Sequence, residues 1–88
     1  PAAALHVVPN WVDTTRFAPA ADRAAARAAL DLPADGGLVL YMGRLSQAKG
    51  VEVLLEAFTR LPASAGAATL VLVGRGADDY VGLLRERI

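Results

Sequence analysis

Apolar residues gather in three short runs: Leu5-His6-Val7-Val8, Leu38-Val39-Leu40-Tyr41-Met42 and Leu70-Val71-Leu72-Val73. Each is mostly apolar on consecutive positions and stops at Pro or Gly. Continuous apolarity, without alternation, predicts strands buried on both faces, as in a parallel sheet. Helical periodicity fills the gaps. An alanine-rich stretch from Asp22 to Leu30 predicts a helix capped by Asp22, with Arg23 and Arg27 one turn apart on one face. From Gly50 to Leu61, Val51, Leu54, Leu55, Phe58 and Leu61 form one apolar stripe, with Glu56 and Arg60 paired at i, i+4 outside it. Pro62 ends that helix. A third helix begins near Asp78, where Asp78 and Asp79 suit the positive end of the macrodipole, and carries Val81, Leu84 and Ile88 on one face.

Strand and helix alternating in this way define an α/β domain with a parallel sheet. The strand starts lie about 32 residues apart, but the intervening helices and loops do not match one another, so the units are βαβ and not a solenoid repeat. So few strands leave the sheet incomplete. The segment from Pro9 to Ala20, with two prolines, Asn10 and Asp13, reads as a connection between domains.

Composition narrows the classes. With 55% hydrophobic and 20% charged residues the chain is globular and not a disordered tail. Nine basic and nine acidic residues cancel to a formal charge of zero, which removes the electrostatic argument for nucleic acid as a partner. No cysteine is present, so disulfides, zinc-thiolate sites and thiol nucleophiles are excluded. No apolar run approaches the roughly 18–20 residues of a membrane span. Pro1 in place of an initiator Met, and a helical pattern still running at Ile88, predict an internal segment of a longer cytoplasmic protein, with a membrane-peripheral location left open at full length.

The stretch Gly43-Arg44-Leu45-Ser46-Gln47-Ala48-Lys49-Gly50 lies between the second strand and the second helix. Ligands of open α/β sheets bind outside the carboxyl ends of strands, where this loop falls. Gly43 permits close approach of backbone to ligand. Arg44 offers a planar fork to phosphate oxygens, and Lys49 a mobile charge at the start of the next helix, where free N–H groups favour an anion. Two readings stay open on the residues alone: a diphosphate clamp, and two solvated loop cations. A Walker loop is excluded, because Lys49 is followed by Gly50 and not by Ser or Thr. Gly74-Arg75-Gly76 is only a fragment of a dinucleotide fingerprint, so NAD is not expected. Ser46 suits a cap or a phosphate hydrogen bond better than nucleophilic attack, His6 a structural place in its strand, and Asp78-Asp79 a helix start better than a metal site.

Gly43 to Gly50, continuing through Val51-Glu52-Val53-Leu54-Leu55-Glu56-Ala57-Phe58, resembles the opening of the donor-binding domain of family-four, retaining, GT-B-fold glycosyltransferases. Pro9-Asn10-Trp11-Val12-Asp13 and Arg16-Phe17-Ala18-Pro19 resemble the linker before it. Arg23, Arg27 and Leu30 to Pro33 resemble the next helix and turn, and Leu70 to Gly76 the following strand and glycine loop. The resemblance covers nearly the whole chain. It implies an incomplete Rossmann-like sheet, with residues 1–19 closing the acceptor domain and forming the linker, and residues 20–88 beginning the donor domain. It implies transfer of a sugar from a nucleotide-diphosphate donor to an acceptor hydroxyl, with retention. Arg44 and Lys49 would bind the diphosphate and stabilise the charge on it as it departs, so that no metal or other cofactor is needed. Gly43 would lie at the phosphate end, and Gly74 and Gly76 would leave room for the nucleoside. The glutamate pair that the family carries farther along is not in this chain, and Glu52 and Glu56 do not replace it. Trp11 stands where the linker most often has glycine, so that it packs between domains, contacts acceptor or covers the core.

Three alternatives remain at this level: a truncated copy without catalytic role, a module that only binds nucleotide, and another GT-B-fold enzyme such as a sugar-nucleotide epimerase or phosphorylase. The 88-residue chain alone is expected to be inactive and marginally stable.

Overall fold

Two of the three apolar runs become strands in the computed structural model, which describes residues 4–88. The chain divides into two compact units after Leu32. In the first, residues 4–22 are irregular and α1 spans Arg23–Ala29. Asp22 caps α1 as expected: its Oδ1 accepts from the Ala25 N–H at 3.0 Å. At the other end Asp31 takes a left-handed conformation (φ 56°), and the N–H groups of Asp31 and Leu32 close back onto the carbonyls of Ala28 and Arg27 at 3.1 and 2.9 Å. This double return satisfies carbonyls that the helix end leaves free.

The predicted strand Leu5–Val8 does not form. A strand's backbone donors and acceptors need a neighbour, and no other described segment pairs with this one. Leu5, Val7 and Val8 are 76–98% exposed, and His6 is exposed with them, so it has no structural burial here. Downstream, Asp13 organises a single turn by accepting from the Thr15 and Arg16 N–H groups at 2.9 and 3.1 Å. The Arg16 guanidinium lies over the Phe17 ring, 5.3 Å from its centroid. Trp11 is 84% exposed, so it does not cover a core in this unit.

The second unit holds β1 (Gly37–Met42), α2 (Val51–Thr59), β2 (Ala68–Val73) and α3 (Asp78–Arg87), with one-turn 3-10 segments at Gln47–Lys49 and Ala63–Ala65. β1 and β2 pair in parallel, Gly37 with Ala68 through Met42 with Val73. Parallel neighbours need a crossover, and α2 supplies it. The stripe on α2 is where the periodicity puts it as far as Phe58: Val51 is fully buried, Leu54, Leu55 and Phe58 are half-buried, and Val53 faces solvent, whereas Leu61 lies beyond the end of the helix and is 47% exposed. Arg60 and Leu61 close the helix with i→i+3 bonds, ahead of Pro62. On α3, Leu84 is buried and Val81 half-buried, whereas Ile88 is exposed. The expectation of two fully buried strand faces fails for both strands: Leu40 and Met42 of β1 are 60% and 71% exposed, and β2 is half-buried from Ala68 to Leu72 and exposed at Val73. Two strands and two helices cannot enclose both faces of a sheet.

Candidate functional site

The loops that leave the carboxyl ends of β1 and β2 remain bonded to each other after the strands end. The Gly43 N–H donates to the Val73 carbonyl at 3.0 Å, and the Leu45 N–H to the Arg75 carbonyl at 2.8 Å. A Cβ on Gly74 would collide with the Gly43 carbonyl oxygen, and one on Gly76 with that of Leu45. Glycine is therefore required at 74 and 76 by the neighbouring loop itself: its backbone occupies the space. From below, the Tyr41 hydroxyl donates to the Arg44 carbonyl at 2.6 Å. It also lies 3.1 Å from where a Cβ of Gly43 would sit.

Beside these zipped loops opens a cleft of about 510 Å³, lined by Arg44, Leu45, Ser46, Gln47, Arg75, Gly76, Ala77 and Tyr80. Its position at the carboxyl end of the strands is the one where α/β sheets bind ligands. No acidic residue lines it. Of the residues anticipated for a ligand, the structure brings Arg44 and Gly76 to this lining. Gly43 and Gly74 lie behind it, in the contact between the loops. Ser46 borders the cleft and heads the 3-10 turn without a side-chain capping bond, so the capping role expected for it is not formed.

Lys49 differs from expectation in its setting. It does not open α2 but closes the preceding 3-10 turn, its own N–H donating to the Ser46 carbonyl at 3.1 Å. Gly50 then takes a left-handed conformation (φ 72°, ψ 25°) and redirects the chain into α2. That conformation is open to glycine at little cost and separates Lys49 from the helix axis by one sharp bend. Lys49 is exposed and outside the cleft lining.

The acids nearby are engaged elsewhere. Glu52, in the first turn of α2, pairs with Arg87 at 2.9 Å, and Glu56 pairs with Arg60 at 2.7 Å on the solvent side. The second pair is exposed and contributes about 0.3–0.5 kcal/mol at most. Asp78 and Asp79 occupy the first turn of α3 as anticipated, and among the described residues no group of three His, Cys, Asp or Glu could hold a metal. Tyr80 reaches the cleft from α3. Its hydroxyl is buried, and burial first, then the negative charge of Glu52 beside it, push its pKa up.

Arg75 and Tyr80 are cleft residues that sequence reasoning did not single out. Arg75 was visible only as the middle of a broken glycine motif. Its place in the cleft follows from the ladder between two loops about thirty residues apart in sequence, a contact that no local pattern records.

Comparison with known proteins places the chain among relatives. Residues 22–84 match the family model described as "Glycosyl transferases group 1". The chain is 39% identical over 93% of its length to a D-inositol 3-phosphate glycosyltransferase of Xylanimonas cellulosilytica, covering 20% of that protein. It is 38% identical, again over 93% of its length, to a glycogen synthase of Alkalilimnicola ehrlichii, of which it covers 21%. A D-inositol 3-phosphate glycosyltransferase of Kineococcus radiotolerans is 44% identical over 67% of the chain and is covered to 14%. The chain thus spans about a fifth or less of the length of these curated relatives. No solved structure matches it significantly.

Proposed function

The chain belongs to the glycosyl transferases group 1 family, and we propose from this that its cleft binds the diphosphate of a nucleotide-sugar donor, as part of an enzyme that transfers the sugar to an acceptor hydroxyl with retention. The observation that carries the proposal is the acid-free cleft at the carboxyl end of β1 and β2, into which the loop after β1 delivers Arg44. In such a transfer the bond between the anomeric carbon and the diphosphate oxygen breaks, and negative charge grows on the leaving diphosphate. A guanidinium at that place that meets the growing charge is worth more to the transition state than to the ground state, which is the condition for catalysis. In this reading Arg44 contacts the departing diphosphate, and Lys49, on the exposed turn that follows, adds its charge when donor is bound. The two cations take the place of a divalent metal, so chelation with EDTA leaves turnover unchanged. Gly43, Gly74 and Gly76 serve the donor by letting the two loops close on each other, which sets the cleft wall at backbone distance.

The relatives' names differ, D-inositol 3-phosphate glycosyltransferase in some and glycogen synthase in another. The cleft belongs to the donor side in this reading, so the proposal stops at a hydroxyl acceptor. It carries with it a cytoplasmic site of action. Among the described residues no helix is long and apolar enough to cross a membrane.

The test is made on the protein at full length. It is incubated with UDP-, GDP- and ADP-sugars in turn, each together with hydroxyl acceptors that include inositol 3-phosphate and glycogen, nucleoside diphosphate release is followed, and the anomeric configuration of the new glycosidic bond is read by NMR. Release from at least one donor, with the donor's configuration kept in the product, is the expected result. Release from none of them overturns the proposal.

A further inference from the structure

Two arginines line the cleft. Arg44 comes from the loop after β1 and Arg75 from the loop after β2, and both are lining residues. Among the described residues no ion pair or side-chain hydrogen bond engages either of them. Asp78 and Asp79 follow closely on α3, but neither lines the cleft, and Asp79 Oδ1 is engaged by the Tyr80 N–H at 2.8 Å. Like charges placed in one acid-free cleft repel, and an anion bound between them turns that repulsion into attraction.

The placement of Arg75 is also constrained. Its carbonyl accepts from the Leu45 N–H, and the glycines on either side of it are pressed against the carbonyls of Gly43 and Leu45. Arg75 therefore sits on a backbone clamped at three consecutive residues to the loop that carries Arg44. Lys49 has no such tie to the cleft. Ser46 and Gln47 add neutral polar groups to the same lining.

We infer that Arg75 is a second anion-binding residue of the cleft, which together with Arg44 grips a nucleoside diphosphate through its phosphates. The inference rests on the donor reading and adds to it a residue that the reading does not use. Two planar forks match a ligand with two charges and several oxygens on adjacent phosphorus atoms better than a single fork does.

The experiment is calorimetric titration of the protein at full length with UDP, GDP and ADP, and with the corresponding nucleosides. Wild type is compared with Arg75→Ala, Arg75→Lys and Arg44→Ala. Arg75→Ala is expected to weaken the tightest-binding diphosphate about tenfold or more, with Arg75→Lys between it and wild type and the nucleoside's affinity unchanged. The side chain is exposed and unpartnered, so the variant should keep the wild-type thermal transition. Should it not, Arg75→Gln, which keeps most of the stem, replaces it under the same criterion. A loss of less than about threefold in a folded variant overturns the assignment of Arg75, as does an equal loss for the nucleoside. Weakening by Arg44→Ala alone leaves the donor reading standing and removes only Arg75. If wild type binds none of the three diphosphates, the donor reading falls as well.

Discussion

Tyr41 is the residue on which the geometry of the β1–α2 loop turns. It is the next-to-last residue of β1, and its hydroxyl passes under Gly43 to the Arg44 carbonyl at 2.6 Å. A neutral hydrogen bond of this kind contributes about 1 kcal/mol, and here it fixes the backbone from which the Arg44 side chain departs. Tyr41→Phe keeps the ring and removes only that bond. In the protein at full length the variant should fold as wild type, with kcat/KM for donor turnover reduced about threefold to tenfold. Because the effect acts through Arg44, it should vanish in an Arg44→Ala background, and steady-state kinetics on the double variant checks this. Arg44, Arg75 and Lys49 are not equivalent cations: all three are exposed, but two line an acid-free cleft and the third, on the 3-10 turn, lies outside that lining.

The two helices of the second unit hold its sheet through a few side chains, and Leu84 is the anchor of α3, only 2% exposed. Leu84→Ala should cost about 2–4 kcal/mol, read as a lowered urea midpoint of the protein at full length, and it should leave the cleft chemistry intact where the fold survives. What was legible in the sequence at this scale was what is local. The stripe from Val51 to Phe58 appears because i, i+3 and i+4 spacing determines a helix face by itself, and the Asp22 cap because its acceptor serves an N–H three residues on. What was not legible depends on partners. Leu5–Val8 has strand composition but finds no neighbour among the described residues, and composition does not supply one. The bend at Gly50, which puts Lys49 in a 3-10 turn and not in α2, leaves only a glycine as its trace. Half of the candidate site was visible as the run Gly43–Gly50. The other half, Arg75 and Tyr80, enters through loop pairing and helix packing that arise far along the chain.

Across the whole molecule, burial is sparse. Among the described residues only Val51 and Leu84 are fully buried. An apolar hollow of about 500 Å³ beside β2, lined in part by Leu55, Phe58, Leu70, Leu72 and Ile88, stays open. Both outer edges of a two-stranded sheet are unpaired, a condition that by itself seldom supports independent stability. The 88-residue chain by itself should therefore unfold over a broad range of low urea concentration, followed by circular dichroism; a sharp cooperative transition at several molar would contradict this. The proposed activity is therefore to be tested on the protein at full length. The central claim is that cations of the β1–α2 loop carry the charge of the leaving diphosphate. It is tested most directly by steady-state turnover of a nucleotide sugar by Lys49→Ala and Arg44→Ala, each shown to be folded. The account predicts that kcat falls about a hundredfold or more in each; near-normal turnover in either variant would contradict it for that residue, and in both would contradict the claim itself.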